Sequence, residues 1–270
     1  MRVDFIKMHG LGNDFVVLDG CAQPLPEMTG TLAAALADRH TGIGCDQVIV
    51  LAPSTRANLA MRIFNPDGSE SSACGNATRA VALLRGGTTS IETLGGMLTA
   101  VAGESDIAVD MGTPRFAWED IPLAYPLDTL ALPVAWEDLE NPCAVNVGNP
   151  HAVFFVSDCD AVDLGRLGPL IEHDPLFPQG VNVNAAMVVS RNAIRLRVWE
   201  RGTGLTRACG TGACATAVAA MRRGLTEREV NVTLPGGDLH IAWGADDRIT
   251  MTGPANEAFR GSFDPAEFGA

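Results

Sequence analysis

Residues 73–80 read Ala-Cys-Gly-Asn-Ala-Thr-Arg-Ala, and 135 positions later, at half the 270-residue length, the chain reads Ala-Cys-Gly-Thr-Gly-Ala-Cys-Ala. The same offset sets Met61-Arg62-Ile63-Phe64-Asn65 on Leu196-Arg197-Val198-Trp199-Glu200, and Gln47 on Asn182. Each of the two five-residue stretches has the alternation of a strand and ends in a polar residue nine positions before its cysteine. Gly12-Asn13 and Gly148-Asn149 open the two halves one position out of step. Matches that keep one order along both halves predict a duplicated unit. The expected fold class is α/β of the α+β kind, with two similar, pseudo-symmetric domains.

Strands are predicted near 3–8, 14–18, 47–51 and 59–64, with one helix over 29–39 and another from Cys74 to the stop at Gly86-Gly87. The second half repeats this with a strand at 152–156, a helix near 163–172, strands at 183–189 and 193–199, and a helix from about Gly210 to Arg223. Antiparallel strands follow near 230–234, 238–243 and 247–251. The span from Phe116 to Pro142, with Pro122, Pro126 and Pro133, contains the expected boundary. Domains are placed at 1–116 and 117–253.

Several function classes are disfavoured. The formal charge of −13 gives no general attraction to nucleic acid or an anionic membrane. No run of about 18 apolar residues occurs, so no spanning helix is expected. The opening Met1-Arg2-Val3-Asp4-Phe5 carries no secretory pattern, and the expected location is cytoplasmic. Seven cysteines without a C-x-x-C pair read as reduced thiols rather than a disulfide framework or a zinc site. Lys7 is the only lysine, which leaves pyridoxal chemistry a single candidate for its Schiff base. No cofactor and no metal are expected.

A cysteine at a helix start meets the positive end of the helix dipole and unpaired backbone N–H groups. That setting favours thiolate. The amides of Gly75-Asn76 and Gly210-Thr211 are suited to a carboxylate. A lone cysteine is usually a small core residue, the reading for Cys21, Cys45, Cys143, Cys159 and Cys214. The repeat sets Cys74 and Cys209 apart as two thiols in equivalent places. Asn13, Gln47, Asn65, Asn149, His151, Asn182, Glu200 and Arg201 cluster at the repeat's loops, where any one asparagine alone reads as a turn residue. Arg201 suits a second carboxylate. His151 and Glu200 suit tuning of the thiols, and His151 equally reads as a structural histidine. Gly210-x-Gly212-x-x-Ala215 fits a loose dinucleotide fingerprint but lacks a Val-rich strand before it. A thiol redox protein and a non-catalytic amino-acid-binding protein are the readings from other classes.

The chain resembles the diaminopimelate epimerase family. The resemblance rests on Phe5-Ile6-Lys7-Met8-His9-Gly10-Leu11-Gly12-Asn13-Asp14-Phe15, Phe64-Asn65-Pro66-Asp67-Gly68-Ser69-Glu70 and Ala73-Cys74-Gly75-Asn76. It continues through Gly148-Asn149-Pro150-His151, Val181-Asn182, Trp199-Glu200-Arg201-Gly202, Ala208-Cys209-Gly210-Thr211-Gly212-Ala213 and Thr252-Gly253-Pro254-Ala255. It implies domains that each curl a mixed sheet around a central helix, an active site in the cleft between them, and a segment near 254–270 returning to the first domain. It also implies cofactor-independent interconversion of L,L- and meso-diaminopimelate, a free amino-acid substrate, on the route to lysine and peptidoglycan. By this resemblance Cys74 and Cys209 are the catalytic acid–base pair, and His151 and Glu200 tune them. Asn13, Gln47, Asn65, Gly75, Asn76, Asn149, Asn182, Glu200, Arg201, Gly210 and Thr211 are substrate-binding positions.

Two departures stand out. The family usually continues Gly-Ala-Arg-Cys after the first Cys-Gly-Asn, where this chain has Ala77-Thr78-Arg79-Ala80. The family often has Tyr at a dimer contact where Phe259 stands; a homodimer is the implied assembly. Proline and hydroxyproline racemases share the layout but favour His where this chain has Asn76.

Overall fold

The computed structural model describes residues 2–72, 74–103 and 106–269. Ala73, the first residue of the first Ala-Cys-Gly, lies outside the described residues. In chain order the strands are β1 (Val3–Gly10), β2 (Asn13–Asp19), β3 (Gln47–Ala52), β4 (Leu59–Phe64), β5 (Glu70–Ser71), β6 (Thr88–Thr93), β7 (Gly96–Ala102) and β8 (Ile107–Asp110). They continue with β9 (Ala135–Trp136), β10 (Leu139–Glu140), β11 (Cys143–Asn146), β12 (Pro150–Phe155), β13 (Asn182–Ser190), β14 (Ala193–Glu200) and β15 (Gly204–Thr206). The last are β16 (Glu229–Leu234), β17 (Gly237–Trp243), β18 (Ile249–Gly253) and β19 (Asn256–Phe263). The helices are α1 (Gly30–Ala37), α2 (Gly75–Arg85), α3 (Leu164–Glu172) and α4 (Gly210–Arg222). The chain divides into two compact units, Met1–Val109 with Gly253–Ala270, and Asp110–Thr252.

The duplication reaches the strand pairing. In the first unit β1–β2 is antiparallel, β2–β3 parallel, β3–β4 antiparallel, β4–β6 parallel and β6–β7 antiparallel. In the second unit β11–β12, β12–β13, β13–β14, β14–β16 and β16–β17 follow the same sequence of senses. The short β5 lies against β4, and β15 against β14. β19 adds to the first sheet beside β1, with Lys7 opposite Phe259.

Each sheet is covered on both faces, and the strand sequences show it. In β2 and β3, Val16, Leu18, Val48 and Val50 join Leu32, Ala33 and Leu36 of α1 in one core. Alternation sends Phe15, Val17, Ile49 and Leu51, all buried, to the other face. Strands buried on both faces lose the in–out pattern and read as near-continuous apolar runs. In the second unit α3 supplies Leu164, Leu167 and Ile171 to a core with Phe154, Val183 and Ala185. Gly168 of α3 is fixed by close approach, since a Cβ there would lie 2.4 Å from the Trp199 ring.

The second helix of each repeat is the enclosed one. α4, Gly-Thr-Gly-Ala-Cys-Ala-Thr-Ala-Val-Ala-Ala-Met-Arg, is buried almost all round and packs on β11, β12, β13, β14, β16 and β17. Small side chains let strands approach from several sides, and alanine carries the best intrinsic helix propensity. α2 is buried from Gly75 to Ala82 and packs on β1, β6, β7 and β19.

The helix expected over 29–39 is shorter at both ends. Thr29 is its N-cap, accepting the Leu32 N–H at 3.2 Å. Asp38 leaves the helix at φ −58°, ψ 125°, and its carboxylate accepts the N–H groups of His40 and Thr41 at 2.8 and 2.6 Å. That local turn competes with another helical residue and wins.

Candidate active site

In the first unit α2 starts at a thiol. Cys74 is its N-cap in extended geometry (φ −148°, ψ 111°), and its Sγ accepts the Ala77 N–H at 3.4 Å. Thr78 Oγ1 donates to the Cys74 carbonyl at 2.9 Å. Asn13, at the start of β2, places Oδ1 3.9 Å from that sulfur and accepts Asn76 Nδ2 at 3.1 Å. Asn76 Oδ1 in turn accepts Arg79 Nη2 at 2.8 Å, and Arg79 is fully buried. Asn13 Nδ2 donates to Asp46 at 3.0 Å, next in sequence to Gln47, whose Nε2 donates to Asn65 Oδ1 at 3.1 Å. Gln47 Oε1 is buried with no hydrogen-bond partner among the described residues, an acceptor available to a cationic group.

An ion-pair network underlies this set. Asp14 pairs with Lys7 at 2.5 Å and with Arg39 at 2.6 Å, and Arg39 also reaches Asp46 at 2.7 Å. Burial raises the Asp14 pKa, but hydrogen bonds from Arg39 and Lys7 and their charges outweigh it and lower the carboxyl to about 2. The only lysine is thereby engaged in structure.

The second unit repeats the helix-start thiol. Cys209 is the N-cap of α4 (φ −126°, ψ 109°), with Sγ accepting the Gly212 N–H at 3.3 Å and 3.5 Å from Thr211 Oγ1. Here the expectation of a lowered pKa fails. Burial pushes the Cys209 thiol well above its ordinary value and the Glu200 charge adds to it, against smaller opposing contributions from Thr211 and Gly212. The helix-start rule counts the local amides and not the loss of solvent, which dominates for a thiol 3% exposed.

His151 is wholly buried on β12. Its Nε2 lies 2.8 Å from Asn149 Oδ1, and its Nδ1 3.1 Å from Asn184 Nδ2. Burial holds its pKa down to about 3, with Arg201 adding in the same sense and the Asn184 hydrogen bond opposing. The ring is therefore neutral at physiological pH. Asn182 donates through Nδ2 to the Pro150 carbonyl at 2.8 Å and accepts the Arg201 N–H at 3.0 Å. Arg201 Nη1 donates to Gln179 O at 2.8 Å, beside a pocket of about 470 Å³ lined by Glu172, His173, Asp174 and Gly180 among others.

A family model described as diaminopimelate epimerase matches residues 5–117 and 143–257. The chain belongs to the diaminopimelate epimerase family. A diaminopimelate epimerase of Erythrobacter litoralis (strain HTCC2594) is 64% identical over 268 residues, covering 99% of this chain and 100% of its own. One from Zymomonas mobilis subsp. mobilis is 54% identical over 269 residues, 99% and 100% of the two chains. Among solved structures, a phenazine biosynthesis protein of the PhzF family from Enterococcus faecalis superposes with a TM-score of 0.72 at 16% identity, covering 98% of this chain and 100% of its own. A hydroxyproline epimerase from Agrobacterium vitis gives 0.69 at 17%, covering 98% and 93%. At those identities the likeness is one of fold.

Within this member of the epimerase family the positions named from the resemblance fall into two connected sets. Asn13, Gln47, Asn65, Cys74, Gly75 and Asn76 form one. Asn149, His151, Asn182, Glu200, Arg201, Cys209, Gly210 and Thr211 form the other. Phe259 stands on β19, half exposed, with its ring edge-on to Phe5 at 6.0 Å. Sequence reasoning missed Asp46, Arg79, Asn184 and Thr206. Thr206 donates to Glu200 Oε1, and its signal was available: it is the repeat counterpart of Ser71 in a strand facing the same neighbour.

Proposed function

We propose that the chain interconverts L,L- and meso-diaminopimelate by two-base proton transfer, with Cys74 and Cys209 as the pair. Inverting a carbon requires a proton to leave one face and another to arrive on the opposite one. A single fixed base reaches one face, so two groups are needed, one thiolate and one thiol. What supports the reading is the repeat of one device in both units: a cysteine capping an enclosed helix, its sulfur held by the backbone N–H three residues on. The surroundings of Cys209 favour thiol, the form that delivers a proton to one face. Helix-start amides at Gly75-Asn76 and Gly210-Thr211 receive the reacting carboxylate, where charge develops as the proton leaves. Arg201 receives the distal carboxylate as a bidentate partner, Gln47 Oε1 receives an amino group, and the asparagines supply further polar contacts to the substrate.

Both proton carriers belong to the chain, so the reaction as proposed uses no cofactor or metal. The reading also places the enzyme in the cytoplasm as a homodimer with Phe259 at the contact. The deciding experiment incubates purified protein with L,L-diaminopimelate and follows the meso form by chiral chromatography. Formation of the meso isomer is the expected result. A folded protein that leaves the L,L form untouched would overturn it.

A further inference from the structure

The orientation of the Asn184 amide is fixed by main chain. Its Nδ2 lies 3.1 Å from the Ala152 carbonyl and 3.4 Å from the Asn182 carbonyl, both acceptors only. The nitrogen must therefore be on that side, and since an N–H₂ cannot accept, its two hydrogens go to its two nearest partners at 3.1 Å, the Ala152 carbonyl and His151 Nδ1, so that this ring nitrogen accepts. A ring nitrogen that accepts carries no hydrogen. In a neutral imidazole the hydrogen then sits on Nε2, which donates to Asn149 Oδ1 at 2.8 Å. With its oxygen taken in this way, Asn149 has its own orientation settled, and its N–H₂ faces away from the ring.

From this chain of contacts we infer that Asn184 is a positioning residue: it locks His151 as the Nε2–H tautomer and, through that ring, fixes Asn149 with its amide donors turned to the substrate. The first half of the inference concerns the resting protein alone. The second rests on the proposed function, in which Asn149 binds substrate. Asn184 lies at the point where β13 passes α4: a Cβ on Gly212 would sit 2.9 Å from Asn184 Oδ1. The helix that begins at Cys209 therefore approaches the amide closely, and packing as well as hydrogen bonding holds the lock in place.

The chain has five histidines, so the test is spectroscopic. Protein labelled with ¹⁵N-histidine is recorded at pH 7 by long-range ¹H–¹⁵N correlation, and His151→Gln assigns the His151 signals by their loss. The expected result is an unprotonated Nδ1 and a protonated Nε2 in the wild-type protein. A protonated Nδ1 would overturn the proposal whether or not any variant folds. Asn184→Asp replaces the donor by an acceptor and should move hydrogen onto Nδ1, with KM rising at least tenfold and more than kcat falls. Asn149→Asp retains the acceptor for Nε2, so the tautomer should persist while KM rises. Loss of the tautomer in Asn149→Asp but not in Asn184→Asp would overturn the assignment. If the wild-type protein lacks epimerase activity, the proposed function fails, and the tautomer spectra still decide the role of Asn184.

Discussion

The carboxylate of Glu200 accepts the Thr206 hydroxyl at 2.5 Å and also hydrogen-bonds the thiol of Cys209. One acid is thus held by a threonine and set against a sulfur. Its negative charge opposes thiolate formation, in the same direction as burial.

Glu200→Gln should therefore lower the Cys209 pKa. At pH 8 alkylation of Cys209 by iodoacetamide should be faster in the variant than in the parent, read by peptide mass mapping, while epimerisation falls roughly 100-fold or more. Unchanged or slower labelling would show that Glu200 does not govern the thiol.

Cys74→Ala and Cys209→Ala should each remove inversion, since each leaves one face without its proton carrier. The loss should exceed about 10³-fold. Each variant should still exchange the α-hydrogen of the one stereoisomer presented to its surviving thiol, giving complementary deuterium patterns in heavy water. Full epimerisation by either single variant would exclude the two-thiol mechanism.

Arg201→Lys keeps the charge but cannot serve Gln179 O and a carboxylate together as a guanidinium can. Losing one charge-assisted pair costs about 1.5–3 kcal/mol, which corresponds to a rise in KM of roughly 10- to 100-fold. A KM within twofold of the parent would place the distal carboxylate elsewhere.

Asp14 gives the protein an acid-sensitive point. Its folded pKa of about 2 lies below the ordinary 3.8. A depressed carboxyl contributes stability that is complete above its unfolded pKa and is lost as pH falls from about 4 towards 2. Lys7→Met should flatten that acid dependence and lower stability at pH 7 by about 1–2 kcal/mol after solvent screening is allowed for. Urea titrations at pH 7 and pH 3 check both, and parallel curves for the two proteins would count against it.

The duplication was legible because it lies in the residues that do the folding. Gln47 and Asn182 begin equivalent strands, and Cys74 and Cys209 cap equivalent helices. Several of the strands that went unread bury little, whereas β11, Cys-Ala-Val-Asn, is buried throughout but only four residues long. β6, Thr-Thr-Ser-Ile-Glu-Thr, and β7 carry few buried side chains, and most of β19 faces solvent, so no hydrophobic period marks them. β6 and β7 form a hairpin, and β6 and β19 take their places by pairing with β4 and β1, more than 30 residues away. The site residues were legible as types at repeated positions. Asn184 was not, because its role depends on β12 lying beside β13, a pairing that joins residues more than 30 apart. Likewise the thiol of Cys209 reads as activated from its helix start, and only the burial shows the opposite.

The pairing of β19 with β1 has a consequence for synthesis. Val3–Gly10 leaves the ribosome long before one of its two neighbours, Asn256–Phe263, is made. Every partner of β11 to β17 within the second unit is made before that, the last of them being β18. The half of the protein that is translated first is thus the last whose sheet can close, and until then the edge of β1 stands open to any other strand that can reach it.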